Sequence, residues 1–348
     1  MAIRVMVVDD SNFMRKAIST LLSSDDRIEV VSLLGSGEEA LKNAPSVDPD
    51  VITLDWELPG MNGFDTLVRI MESFPTPVVM FSAYTKKGAD LTLRALEAGA
   101  IDFIEKPSGA ISLDLGKVRE DLIGKIVTAA SAGERLRGSR EKARREAAPR
   151  GEVAKIRSPE KSILFIASST GGVQALNRVI PLLPANYPMP VLIVQHMPPL
   201  FTKSLSQSLD AVSRLSVREA ADGDTLMPGN VYIAPGGWQT KVFKYGKEMK
   251  LRLDVEPADI SLKPCADISM ASIAENFGSD VVALILTGMG DDGMEGARLI
   301  KERGGVVFAQ DKETSTIFGM PRAVIEAGLA DAVLPLDGVA GHLAALVG

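Results

Sequence analysis

Short apolar runs alternate with amphipathic stretches over most of the chain. Residues 3–8 form an apolar run of strand length, and from Phe13 to Leu22 the residues Phe13, Met14, Ala17, Ile18, Leu21 and Leu22 fall at helical spacing. Strand-like runs return at 28–33, 51–54, 77–81 and 101–104, with helical patterns between them. Five such strand–helix units predict a doubly wound parallel sheet. The pattern breaks at 134–157, where Arg135, Arg137, Arg140, Lys142, Arg144, Arg145 and Arg150 are interleaved with glutamates, Gly and Pro and show no apolar face. A solvated tether explains this better than a nucleic-acid or lipid patch, because patterned regions flank it on both sides. A second α/β pattern starts near Lys161, with strand-like runs at 162–168, 191–195, 230–234, 281–286 and 305–309. Residues 241–254 alternate across a glycine, as a β-hairpin does.

The length of 348 residues suits two domains, each large enough to bury a core. A net charge of −7 argues against a chain built to grip nucleic acid. The start has no basic region followed by a long apolar one, and the longest apolar run, 281–286, is too short to span a bilayer. The expectation is a cytoplasmic protein with no membrane insertion. Cys265 is the only cysteine, which excludes an internal disulfide and a cysteine-rich zinc site. Its chain neighbours include no histidine and no basic cluster, so it reads as a small half-buried residue rather than a nucleophile.

Candidate chemistry sits at strand ends. Asp9 and Asp10 end the first strand and Asp55 the third, so three carboxylates converge on one edge of the first sheet. Such a cluster repels itself unless a hard cation such as Mg²⁺ neutralises it. Ser82 ends the fourth strand and Lys106 follows the fifth, which completes a pocket suited to a phosphorylated carboxylate. Any one aspartate alone would more simply be a helix or turn cap; all five groups in this order are not. With Val-Asp-Asp-Ser, Leu-Asp-Trp-Glu-Leu-Pro-Gly-Met-Asn-Gly and Glu-Lys-Pro, this region resembles the response-regulator receiver domain. The resemblance implies a flavodoxin-like (βα)5 fold over 1–124. It also implies Asp55 as phospho-acceptor, and Mg²⁺ held by Asp9, Asp10, Asp55 and the backbone carbonyl of Glu57. Ser82, Phe103 and Lys106 become the switch residues, and the Lys106–Pro107 bond is expected to be cis. Trp56, directly after the acceptor, is a bulky departure from the family pattern.

In the second region the run 163–167 leads into Ser168, Ser169, Thr170, Gly171 and Gly172, a strand, a sharp turn and a helix start. A hydroxyl there faces free helix N–H groups, though an anion-binding loop or plain N-cap serines would look the same. His196 follows the run 191–195, and Gly288, Met289, Gly290, Asp291, Asp292 and Gly293 follow 281–286. Serine, histidine and aspartate thus reach one sheet edge, as nucleophilic hydrolysis requires. His342 lies in a small-residue, apolar stretch near the C-terminus and reads as structural or merely exposed. The spacing does not choose between Ser168 and Ser169 or between Asp291 and Asp292.

Ser-Ser-Thr-Gly-Gly, Gln-His-Met-Pro-Pro, Tyr-Ile-Ala-Pro-Gly, Leu-Thr-Gly-Met-Gly-Asp-Asp-Gly and Gly-Met-Pro-Arg together resemble the catalytic domain of the chemotaxis protein-glutamate methylesterases. The resemblance implies a mostly parallel, doubly wound α/β hydrolytic domain at 160–348 behind a tether at 125–159. It makes Ser169 the nucleophile, His196 the general base and acid, Asp292 its orienter, and Met289 with Thr170 the oxyanion site. It implies glutamyl methyl esters, and glutamine amides, on methyl-accepting chemotaxis receptors as substrates. A chemotaxis histidine kinase would be the phosphodonor, and no cofactor is needed for hydrolysis. In this family the unphosphorylated receiver covers the hydrolase mouth. Two rivals stand beside this expectation: a response regulator whose output is binding, and the same chemistry on a receptor of a non-motility pathway. The chain's acidity and the lack of a basic helix-turn-helix weigh against a DNA-binding output.

Overall fold

The computed structural model describes residues 2–82, 85–106, 115–142, 162–246 and 248–347. It divides into two compact units, Met1–Arg150 and Gly151–Gly348. In the first, the strands are β1 (Ile3–Val8), β2 (Ile28–Leu34), β3 (Val51–Asp55), β4 (Val78–Ser82) and β5 (Asp102–Glu105). They form a sheet of order β2-β1-β3-β4-β5 in which every pairing is parallel, the flavodoxin-like arrangement. The helices are α1 (Asn12–Leu22), α2 (Gly37–Val47), α3 (Gly63–Ser73), α4 (Lys86–Glu97) and α5 (Leu115–Lys142). Ser11, Ser36, Asn62 and Thr85 cap the first four, each side chain accepting a backbone N–H of the first turn. Both sheet faces carry helices, so β3 and β4 are buried throughout.

Helix α5 runs past residue 124, the expected end of this domain, and well into the expected tether. Leu122, Ile126, Ala129 and Ala132 recur at helical spacing, are buried, and belong to a helix that packs on β3, β4 and β5. Beyond Gly133 the sequence has no apolar stripe, but Glu, Arg, Leu and Lys propagate a helix that packing has already nucleated. The rest of the tether, and Pro107 with the expected cis bond before it, lie outside the described residues.

The strands of the second unit are β6 (Ile163–Ser168), β7 (Val191–Gln195), β8 (Ser216–Glu219), β9 (Asn230–Ile233), β10 (Gln239–Tyr245), β11 (Glu248–Asp254), β12 (Val281–Ile285), β13 (Val306–Gln310) and β14 (Ala332–Leu334). Seven of these make a parallel sheet of order β14-β13-β12-β6-β7-β9-β8, while β10 and β11 form a separate antiparallel hairpin. The helices are α6 (Gly172–Val179), α7 (Phe201–Val212), α8 (Ala266–Phe277), α9 (Met294–Glu302), α10 (Met320–Glu326) and α11 (Leu336–Ala345). The two edge strands, β8 and β14, have no counterpart in the sequence pattern. They are short and each buries one residue, so neither carries a strand-length apolar run. Val242 and Leu251 of the hairpin join Met270 and Ile273 of α8 and Phe165 of β6 in one core.

Both sheets begin in their interior and wind in both directions. From β1 the chain adds β2 on one side and β3 on the other; from β6 it adds β7 on one side and, much later, β12 on the other. Such a reversal leaves a crevice at the C-terminal strand ends, where ligands bind in open α/β sheets.

Phe165, fully buried on central strand β6, tests the second core. Phe165→Ala is expected to lower unfolding stability by about 3–5 kcal/mol in urea titrations.

Candidate active site and phosphoacceptor pocket

Three strand ends of the second unit meet through backbone hydrogen bonds. Ser169 N–H donates to Thr287 O at 3.0 Å, and His196 N–H donates to Ser168 O at 3.0 Å. The loops after β6, β7 and β12 are therefore one continuous edge. The two serines differ in environment. Ser168 is fully buried and its hydroxyl donates to Gln195 Oε1 at 2.7 Å, so it is spent inside the fold. Ser169 is half-exposed, and Gln195 Nε2 donates to its carbonyl oxygen at 2.9 Å. Two glycines make room for this pair. A Cβ at Gly172 would collide with Gln195 Oε1, and one at Gly288 would strike Met320 Sδ and come within 2.9 Å of Ser169 Cβ. Gly171 turns the chain into α6 with φ +79°, a left-handed conformation suited to glycine.

His196 Nε2 lies 2.7 Å from Asp292 Oδ2. Asp291, by contrast, is exposed. The Asp292 carboxylate takes three further donors: Ala266 N–H on Oδ2 at 2.6 Å, Asp267 N–H on Oδ1 at 3.0 Å, and the Cys265 thiol on Oδ1 at 3.1 Å. Burial alone would raise its pKa, but the His196 imidazole and these N–H groups outweigh burial and hold it low. An ionised carboxylate only accepts, so the ring nitrogen that faces it, Nε2, is the donor in this contact. Thr170 is buried and Met289 is exposed at the rim, between Gly288 and Gly290. His342 packs edge-on against Phe308 with centroids 4.7 Å apart, as a structural residue would.

In the first unit Asp9 and Asp55 are buried and Asp10 is exposed, with ligand atoms of all three within 4.8 Å of one another. Lys106 Nζ stands 2.6 Å from Asp55 Oδ2 and 3.5 Å from Asp9 Oδ2. Burial pushes the Asp55 pKa up to about 6, against the pull of Lys106 and with the help of Asp9. Gly63 admits the chain here, since a Cβ would collide with Asp55 O. The Ser82 hydroxyl is held by α4, 2.6 Å from Thr92 Oγ1 and 3.3 Å from Gly88 O. Phe103 is buried, with Lys125 Nζ 5.3 Å from its ring centroid and donating to its carbonyl oxygen at 2.6 Å. Glu57 is exposed, and half-buried Trp56 leans on Phe64 with ring centroids 5.9 Å apart.

Residues 164–343 match the family model described as CheB methylesterase, and residues 5–114 match that of the response regulator receiver domain. The chain belongs to the CheB methylesterase family. The protein-glutamate methylesterase/protein-glutamine glutaminase of Geobacillus kaustophilus is 44% identical over 347 residues, covering 99% of this chain and 99% of its own length. The protein of the same description from Thermotoga maritima is 43% identical over 345 residues, covering 99% and 98%. The crystal structure of the Thermotoga maritima CheB methylesterase catalytic domain superposes with a TM-score of 0.53 at 46% identity, covering 54% of this chain and 99% of that one.

This CheB-family chain brings His196 and Asp292 into direct contact, with Ser169 on the neighbouring strand end. The sequence reading gives Gln195 and Thr287 no role and takes Cys265 only as a small half-buried residue. Gln195 stands in a quoted motif, yet only the fold reveals that it serves both serines. Thr287 N–H donates to Gln195's counterpart on β13, the Gln310 side chain, at 2.8 Å. For Cys265 the chain neighbourhood was the wrong measure: no histidine is near in sequence, but the thiol touches the carboxylate that holds His196. Burial first, then the Asp292 charge, push this thiol up to about 12, so it stays protonated and donates rather than attacks.

The receiver pocket fits a hard cation. Asp9 Oδ2 and Asp55 Oδ1 are buried with no hydrogen-bond partner, and all the side-chain donors are carboxylate oxygens. Saturating Mg²⁺ is expected to raise the thermal stability of the receiver, by about 2.7 kcal/mol at a hundred times its Kd. Asp10→Asn should weaken that gain in calorimetry; an unchanged melting curve with Mg²⁺ would count against the pocket.

Proposed function

We propose that this chain is a receiver-controlled serine hydrolase. It demethylates glutamyl methyl esters on methyl-accepting chemotaxis receptors and releases ammonia from glutamines at such sites. The observation that carries the proposal is the 2.7 Å His196–Asp292 contact beside Ser169, at the winding reversal of the second sheet. The relatives' shared description as protein-glutamate methylesterase/protein-glutamine glutaminase supports the substrate class.

Ser169 Oγ attacks the ester carbonyl carbon while His196 Nδ1 takes its proton. Asp292, kept ionised, stabilises the imidazolium that forms. Negative charge develops on the former carbonyl oxygen, beside the Met289 N–H and Thr170. The tetrahedral carbon then expels methanol (ammonia from a glutamine), which leaves with the proton from His196. Water, deprotonated by the same imidazole, releases glutamate and restores Ser169.

Control comes from the first domain, for which we propose the expected span 1–124 extended by the packed turns of α5 through Ala132, with the tether after them up to 159 and the catalytic domain at 160–348. Asp55 accepts a phosphoryl group from a chemotaxis histidine kinase. Asp9, Asp10, Asp55 and the Glu57 carbonyl would hold Mg²⁺, which neutralises the gathered negative charge when bound. Lys106 pairs with the new phosphoryl oxygens, and Ser82 leaves Thr92 and Gly88 to donate to them, drawing Phe103 into the switch.

Methanol release from methylated receptor membranes, with and without a small phosphodonor, tests both halves. Ser169→Ala should abolish release, a loss on the order of 10⁴-fold or more. Asp55→Asn should keep basal release and lose the stimulation. Methanol from Ser169→Ala, or stimulation surviving in Asp55→Asn, would overturn the corresponding half.

A further inference from the structure

Two helix starts in the catalytic unit exchange their caps. Asp292 lies two residues before α9, yet its oxygens accept the Ala266 and Asp267 N–H groups at the start of α8, at 2.6 and 3.0 Å. Asp267 lies in that first turn of α8, yet its Oδ1 accepts the Gly293 and Gly296 N–H groups at the start of α9, at 2.9 and 2.6 Å. The residues at the N-cap positions, Cys265 and Gly293, make no side-chain capping bond to their own helices. Each helix is closed by the other's carboxylate. Glycine at 296 permits the approach, since a Cβ there would fall 2.5 Å from Met270 Cβ and 3.2 Å from Asp267 Cα.

This exchange bears on catalysis because Asp292 Oδ2 also faces His196. Rotation of the Asp292 carboxylate, or a shift of the loop that carries it, would break the contacts to α8. A shift of α9 against α8 would break those to Asp267. We propose that Asp267 is a positioning residue for the hydrolysis: by capping α9 from the start of α8 it fixes the Asp292 carboxylate, and through it His196, in line for Ser169. The proposal rests on Ser169, His196 and Asp292 being the reacting set. Both N–H groups fall on the same oxygen, so the acceptor atom and not the negative charge is what the clamp requires. Burial, with the Asp292 charge beside it, already pushes the Asp267 carboxyl upward, so a neutral side chain suits the position.

The test compares kcat and KM for methanol release by the full chain carrying Asp267→Asn, Asp267→Glu, Asp267→Ala or Ser169→Ala. Asparagine keeps Oδ1 and removes the charge; glutamate keeps the charge and displaces the acceptor. The expected result is near wild-type kcat for Asp267→Asn. Asp267→Glu and Asp267→Ala should lose roughly tenfold in kcat at unchanged KM, short of the ~10²-fold that an ångström of misplacement can cost. If the alanine variant does not fold, the Asn–Glu comparison decides. Glutamate equal to or better than asparagine overturns the proposal, as does a wild-type kcat in Asp267→Ala, whatever its melting temperature. Activity in Ser169→Ala would instead sink the reacting set itself; an inactive Ser169→Ala beside normal Asp267 variants sinks the clamp alone.

Discussion

Each sheet of this chain starts in its own interior, and the reversal of winding at that first strand opens the only kind of crevice a parallel sheet offers at its C-terminal edge. Asp9, Asp10 and Asp55 follow from β1 and β3 on either side of one reversal; Ser169 and Asp292 follow from β6 and β12 on either side of the other. His196 comes from β7, the next strand along. Residues more than a hundred positions apart meet because parallel strands deliver all their C-terminal ends to one edge. Helices on both faces leave that edge as the place where polar groups can gather without being buried under a crossover.

The two crevices treat their carboxylates in opposite ways. Asp55 is buried among other acids, keeps an oxygen with no hydrogen bond, and is pushed upward. That instability in the free state leaves room for a cation and a phosphoryl group. Asp292 is also largely buried, but its oxygens meet the His196 ring, the Cys265 thiol and the Ala266 and Asp267 N–H groups, and it is held low. A satisfied carboxylate is rigid and stays charged, which is what a general base beside it needs from an orienting partner. One site is poised to change charge and the other to keep it.

Hydrophobic patterning made most of the strands that carry chemistry legible, because β3, β6, β7 and β12 are interior strands buried along their length and β1 is buried over its last four residues. It missed β8 and β14, edge strands with little to bury, and the length of α5, whose last turns extend without an apolar stripe. In the site, residue types and strand-end placement brought out serine, histidine and aspartate, but choosing Ser169 over Ser168 needed a family resemblance. Geometry supplies an independent reason: Ser168 is committed to Gln195. The roles of Cys265 and Asp267 were illegible because they act across a helix–helix contact, and nothing in their own segment names the partner.

In the proposed mechanism Ser169 and His196 act as one reacting unit, so the most direct measurement is the rate of glutamyl ester hydrolysis by Ser169→Ala, His196→Ala and the double variant. Groups that act together lose their effect together: the double variant should be no slower than either single one. Losses that multiply in the double variant would mean that serine and histidine contribute separately, and would contradict the mechanism.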